Sequence, residues 1–167
     1  PGQLVLKNPI NTGRIPLLRE LYPNAKFIYM HRDPYTVFVS MRNFYESVLP
    51  LVRLQEVTRE EIEELVLRIY REILGAYLQD RKAVPSSHLV EVNFEDLERN
   101  PVAEMRRIYD TLNLGEFPRV EPALQAYMEG QAGYEKNRFA RDPEDVRKVN
   151  QNWGFAFDAW GNARIEA

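Results

Sequence analysis

Two short runs rich in β-branched and aromatic residues, Lys26-Phe27-Ile28-Tyr29-Met30-His31 and His88-Leu89-Val90-Glu91-Val92-Asn93, stand far apart in the chain with helical-period sequence between them. Strands so separated cannot close a tight hairpin. A helical crossover brings the chain back to the same end of the sheet, and the strands then pair in parallel. The intervening sequence supplies the helices. Asp33-Pro34 reads as an N-cap and a first helical residue, and Val37, Phe38, Met41, Phe44, Tyr45 and Val48 follow at helical spacing. Residues 49–57 read as a connection. Thr58, with Glu61 three residues on, forms a capping box. It opens the longest helix, about residues 59–82, whose apolar stripe runs from Ile62 to Leu78.

The flanking sequence extends the pattern. Residues 3–8 read as a further, buried strand, and 12–22 as a helix with Pro16 in its first turn, where a missing N–H matters least. Asn100-Pro101 repeats the cap-plus-proline start. It opens a helix that buries Met105, Ile108, Tyr109 and Leu112 and ends at Gly115. Residues 116–167 read as helical in patches and rich in turns, with Trp153, Phe155, Phe157 and Trp160 as core or docking aromatics. Three strands alternating with helices predict an α/β fold, a parallel sheet with helices layered on it, in a single domain over 1–167. A domain seldom opens on a central strand, so the chain is expected to be the C-terminal part of a longer one.

Composition narrows the chemistry. The charged residues sum to −3, so the chain as a whole does not attract nucleic acid, and any anion must be held by a local cluster. The absence of cysteine excludes disulfides, thiolate catalysis and Cys-ligated zinc, and fits a cytoplasmic setting. The two histidines, His31 and His88, form no pattern of metal ligands, so no metal is expected. No apolar run is long enough to span a membrane.

In parallel α/β sheets ligands bind beyond the carboxyl ends of the strands. Those ends are Lys7-Asn8-Pro9, Arg32-Asp33-Pro34 and Asn93-Phe94-Glu95. Arg32 and Ser40 can converge on one phosphate, the guanidinium as a planar fork and the hydroxyl as a neutral donor. The spacing equally allows Arg32 to pair with Asp33 or a helix end while Ser40 packs. Lys7 at the end of a buried strand needs an anion or a route to water. Asn11 or Thr12 can cap the next helix, and Gly13 permits close backbone approach. Gly130-Gln131-Ala132-Gly133-Tyr134-Glu135-Lys136-Asn137-Arg138-Phe139 reads as a loop with anion donors, or as ordinary solvated surface. His31 reads as a packed strand residue.

Taken in order, these pieces resemble the sulfotransferases that use 3′-phosphoadenosine 5′-phosphosulfate (PAPS), in the branch common in bacteria. The family's Lys-x-Pro with a following Thr, Gly and Arg is matched by Lys7-Asn8-Pro9 and Thr12-Gly13-Arg14. Its Phe-Pro-x-Ala-Lys-Phe-Ile before Arg-Asp-Pro is matched by Tyr22-Pro23-Asn24-Ala25-Lys26-Phe27-Ile28 and Arg32-Asp33-Pro34. Ser40 stands eight residues after Arg32, as in the family's site for the cofactor's 3′-phosphate. Phe94-Glu95-Asp96-Leu97 matches Tyr-Glu-Asp-Leu, and Gly130, Gly133, Lys136, Asn137 and Phe139 match a late glycine pattern.

The resemblance implies a three-layer fold like that of P-loop NTPases, without the upstream phosphosulfate-binding loop. It implies a sulfuryl group moved from PAPS to a hydroxyl or amine of a small-molecule or glycan acceptor. Arg32 and Ser40 would anchor the 3′-phosphate of PAPS or of the product PAP (3′-phosphoadenosine 5′-phosphate). Lys136, Asn137 and Arg138 would close over it, and Lys7 would approach the sulfuryl group or the acceptor. Asn11 stands in the segment where many relatives have a histidine base, and an amide cannot take that proton. Met128-Glu129 replaces an Arg-Lys pair, and Phe94 replaces a tyrosine and loses its hydroxyl. Two other readings compete. A nucleotide kinase of the P-loop type would need an acidic magnesium ligand after a strand, and Asp33 is better used as a cap. A sulfotransferase-like module that binds without turning over would fit the missing loop and Asn11.

Overall fold

Both well-separated strand runs form strands. β1 (Phe27–His31) and β2 (Leu89–Asn93) pair in parallel, Phe27 opposite Leu89 and His31 opposite Asn93. The computed structural model describes residues 4–131, 133 and 139–166, and among these the two strands are the whole sheet. The protein is thus α/β with a small parallel sheet. The helices are α1 (Ile15–Leu21), α2 (Pro34–Val52), α3 (Arg59–Asp80), α4 (Phe94–Arg99), α5 (Pro101–Leu112), α6 (Glu121–Gly130) and α7 (Pro143–Trp160). None is long and apolar enough to cross a membrane.

The strand expected over 3–8 does not form over its described residues. Residues 4–8 have no regular structure, and Leu4, Val5 and Leu6 are 75%, 83% and 59% exposed. A β-prone run becomes a strand only where an edge accepts its hydrogen bonds and a face buries its side chains, and here neither is met. Lys7 is therefore exposed and carries no burial penalty. Next comes a 3₁₀ turn, Pro9–Arg14. It is started by Asn8, whose Oδ1 accepts from the Ile10 N–H at 3.0 Å, in place of the expected cap at Asn11 or Thr12. The backbone of Ile73 passes Gly13 at a distance that leaves room for a methyl group, so glycine is not required there.

Among the described residues the chain forms two compact units. One comprises residues 4–14, 33–79 and 139–166. Its core is aromatic: Phe38 meets the Trp153 indole edge-on at 5.7 Å, Tyr70 stacks on the same indole at 3.9 Å, and the indole Nε1 donates to Leu67 O at 3.0 Å. Asp33 caps α2 as predicted, accepting from the Thr36 N–H and hydroxyl at 3.1 and 2.6 Å. α2 runs on to Val52 through the expected connection at 49–57. Pro50 costs one bond close to the helix end, and the Arg53 N–H still reaches Leu49 O at 2.8 Å. The capping box forms in both directions, Thr58 Oγ accepting from Glu61 N and Glu61 Oε2 from Thr58 N.

The other unit comprises residues 15–32, 80–131 and 133. Val90 and Val92 of β2 bury against Ile108 and Leu112 of α5, with Leu97, Met105 and Leu114 around them. Asn100 caps α5 as read from the sequence. The helix stops at Leu112, before the expected Gly115, because Asn113 already takes a left-handed φ of 49°. Lys26 donates to the Leu112 and Asn113 carbonyls, placing a cation at the negative end of the helix dipole.

Candidate anion-binding site

In the sheet-bearing unit, Arg32 follows the last residue of β1, and Phe94 and Glu95 follow the last residue of β2. Parallel pairing in register brings both strand ends to one side. Asn93 fixes the turn there, its Oδ1 accepting from Asp96 N at 3.1 Å. The Arg32 guanidinium carbon lies 4.4 Å from the centre of the Phe94 ring, a cation–π contact. Its Nε is buried without a hydrogen-bond partner, 3.9 Å from Glu95 Oε1. That is a charge contact too long for a hydrogen bond. Among the described residues the two terminal nitrogens have no partner. Arg32 does not pair with Asp33, the structural alternative open from sequence.

His31 is the neighbour that keeps this end from being uniformly charged. Burial lowers its pKa below 6.5, against the opposing pull of Glu91, Glu95 and Asp96. The ring is neutral at pH 7, as expected of a packed strand histidine.

In the other unit Ser40 lies on α2, half-buried, and its hydroxyl has no hydrogen-bond partner among the described residues. Lys7 is exposed and Asn11 half-buried. No hydrogen bond joins Lys7, Asn11 and Ser40. Lys136, Asn137 and Arg138 lie outside the described residues. Arg141, which sequence reasoning did not single out, donates to Asp33 Oδ2 at 3.1 Å and lies over the Tyr35 ring. Asp33 is thereby committed to the cap and to Arg141, which disfavours it as a magnesium ligand. A hollow of about 510 Å³ in this unit is lined by Glu61, Glu64, Arg68, Arg71 and Asn152 among others. None of the described sequence-predicted site residues lines it.

The same unit holds a buried ionic cluster that no sequence motif signals. Arg42 on α2 donates through Nη1 and Nη2 to Asp145 on α7 at 2.6 and 2.8 Å, and through Nη1 to Glu63 on α3 at 2.9 Å. Lys148 and Arg59 complete the shell of Glu63 at 2.7 and 3.2 Å. Burial alone would raise the Glu63 pKa, but the hydrogen bonds from Lys148 and Arg42 outweigh it and hold the carboxylate below 4.5. Every terminal nitrogen of Arg42 is used, so this arginine is structural where Arg32 is open.

A sequence model of the sulfotransferase family matches residues 2–119. The chain belongs to the sulfotransferase family. It is 32% identical over 161 residues to the omega-hydroxy-beta-dihydromenaquinone-9 sulfotransferase Stf3 of Mycobacterium bovis (strain ATCC BAA-935 / AF2122/97), and equally to that of Mycobacterium tuberculosis (strain CDC 1551 / Oshkosh). The match covers 96% of this chain and 42% of each relative, so the chain spans about two fifths of the length of these curated relatives. Among solved structures it superposes on sulfotransferase STF9 from Mycobacterium avium with a TM-score of 0.81 at 22% identity, over 96% of this chain and 42% of that one. That likeness shows the fold alone.

Proposed function

We propose that this chain carries the 3′-phosphate half of a PAPS site, in a protein that transfers a sulfuryl group to a hydroxyl of a small-molecule acceptor. The observation that carries the reading is Arg32. It stands at the carboxyl end of a parallel strand in a sulfotransferase-family chain, with one guanidinium face on Phe94, its Nε buried 3.9 Å from Glu95, and its two terminal nitrogens without partners among the described residues. A phosphate fits that fork with two parallel hydrogen bonds. Ser40 stands eight residues after Arg32, the spacing of the family's 3′-phosphate site, and on that resemblance is assigned as a further donor. The two residues would select PAPS over ordinary adenine nucleotides, which lack the 3′-phosphate.

The chemistry asks little covalent work of the protein. The acceptor oxygen bonds to sulfur as the bond from sulfur to the donor's phosphate oxygen breaks, PAP leaves with that electron pair, and the acceptor's proton passes to solvent water. Positioning and charge neutralisation carry such a transfer. Lys7, exposed and without an ion-pair partner among the described residues, is suited to the sulfuryl group or the leaving phosphate. Asn11 can hold an acceptor by hydrogen bonds but cannot accept its proton. Lys136, Asn137 and Arg138 remain candidates for closing over the nucleotide. The resemblance to P-loop NTPases in layer order is part of the same reading. Of the acceptor classes, a small-molecule hydroxyl is favoured by the relatives named for a hydroxylated menaquinone.

Calorimetric titration of the intact protein with PAP and with 5′-AMP at fixed low salt tests the site. PAP should bind at least tenfold more tightly. Equal affinity for the two nucleotides would overturn the proposal.

A further inference from the structure

Resting on that reading, we propose that Phe94 is a positioning residue for the 3′-phosphate, acting through Arg32. A free arginine side chain samples many rotamers, and ordering it on binding weakens the contact it makes. Here one face of the guanidinium and its Nε edge already have neighbours. The Phe94 ring supports its plane at 4.4 Å. The buried Nε faces Glu95 at 3.9 Å, a charge contact that turns the fork away from it. What remains is the edge formed by the two terminal nitrogens, which is the edge a phosphate takes bidentately. The contact is to the face of the aromatic ring. A phenylalanine supplies that face as a tyrosine would. Both residues belong to the same compact unit, so the pairing is set by the sheet: β1 delivers Arg32 and β2 delivers Phe94.

The test is a double-mutant cycle read by PAP and 5′-AMP titration of the intact protein. Phe94→Leu keeps apolar volume but removes the ring face. It should raise the Kd for PAP by about five- to twentyfold and leave the Kd for 5′-AMP unchanged. Phe94→Tyr should bind PAP as the parent does. In an Arg32→Ala background, Phe94→Leu should have no further effect, because the residue it serves is gone. A structural role would instead weaken both nucleotides and persist in that background. If Phe94→Leu binds PAP normally while Arg32→Ala does not, the positioning role is wrong and the phosphate site stands. If Arg32→Ala itself leaves PAP binding unchanged, the phosphate site is wrong, and the role of Phe94 falls with it.

Discussion

Arg32 and Arg42 are the two arginines that decide how this chain is read, and their surroundings separate them. Both lie near an aromatic face, Arg32 over Phe94 and Arg42 over Phe38. Arg42 has carboxylates at every terminal nitrogen, whereas among the described residues Arg32 has one carboxylate, at the Nε edge and out of hydrogen-bond range. Sequence alone offered Arg32 by its place after a strand and before Asp33-Pro34, and could not offer Arg42, which sits mid-helix with no motif. The ligand assignment predicts that Arg32→Ala weakens PAP binding by about 2–4 kcal/mol, the scale for losing one partner of a desolvated ionic contact. Ser40→Ala should cost about 1 kcal/mol, as for a single hydrogen bond. Titration of each variant, with its melting temperature as a folding control, checks both values. An Arg32→Ala protein that melts far below the parent would mark the residue as structural instead.

At the scale of elements, caps were the most legible part of the chain. Asp33, Thr58 and Asn100 all accept the N–H groups that their place before a helix requires. Such bonds span three residues and depend on nothing distant. The run at 3–8 misled because a strand depends on a neighbouring edge, which local composition does not contain. The arginine–carboxylate cluster was illegible for the same reason: Arg42, Glu63 and Asp145 lie on three helices, 21 and 103 residues apart from Arg42. This cluster ties α2, α3 and α7 together, and its energetics are asymmetric. Arg42→Ala would strand the buried Asp145 carboxylate and leave Glu63 to Lys148 and Arg59, and should cost about 3–5 kcal/mol. Arg42→Met with Glu63→Gln and Asp145→Asn removes all three charges together and should recover much of that loss. Denaturant unfolding of the two proteins measures the difference, and equal loss in both would mean that packing, and not charge, dominates there.

The whole molecule should lose stability in acid in two separate windows, one from each unit. His31 has a folded pKa below 6.5, chiefly through burial. The unfolded chain therefore takes up its proton first as pH falls. The stability that the neutral ring contributes is complete above about pH 6.5 and declines as pH drops from there through the folded value. Glu63 is held below 4.5, burial being outweighed by its hydrogen bonds to Lys148 and Arg42. Its contribution is complete above about pH 4.5 and is lost only as pH falls through its folded value. The melting temperature should consequently bend downward twice on acidification, first below about pH 6.5 and again below about pH 4.5. His31→Asn should remove the upper bend and leave the lower one. Glu63→Gln should lower stability at pH 7 and flatten the lower bend. Both windows lie below the range where PAP binding is to be measured, so the nucleotide titrations belong above pH 7, where neither group changes its charge. A single bend that both substitutions shift together would show that the two groups titrate as one coupled system.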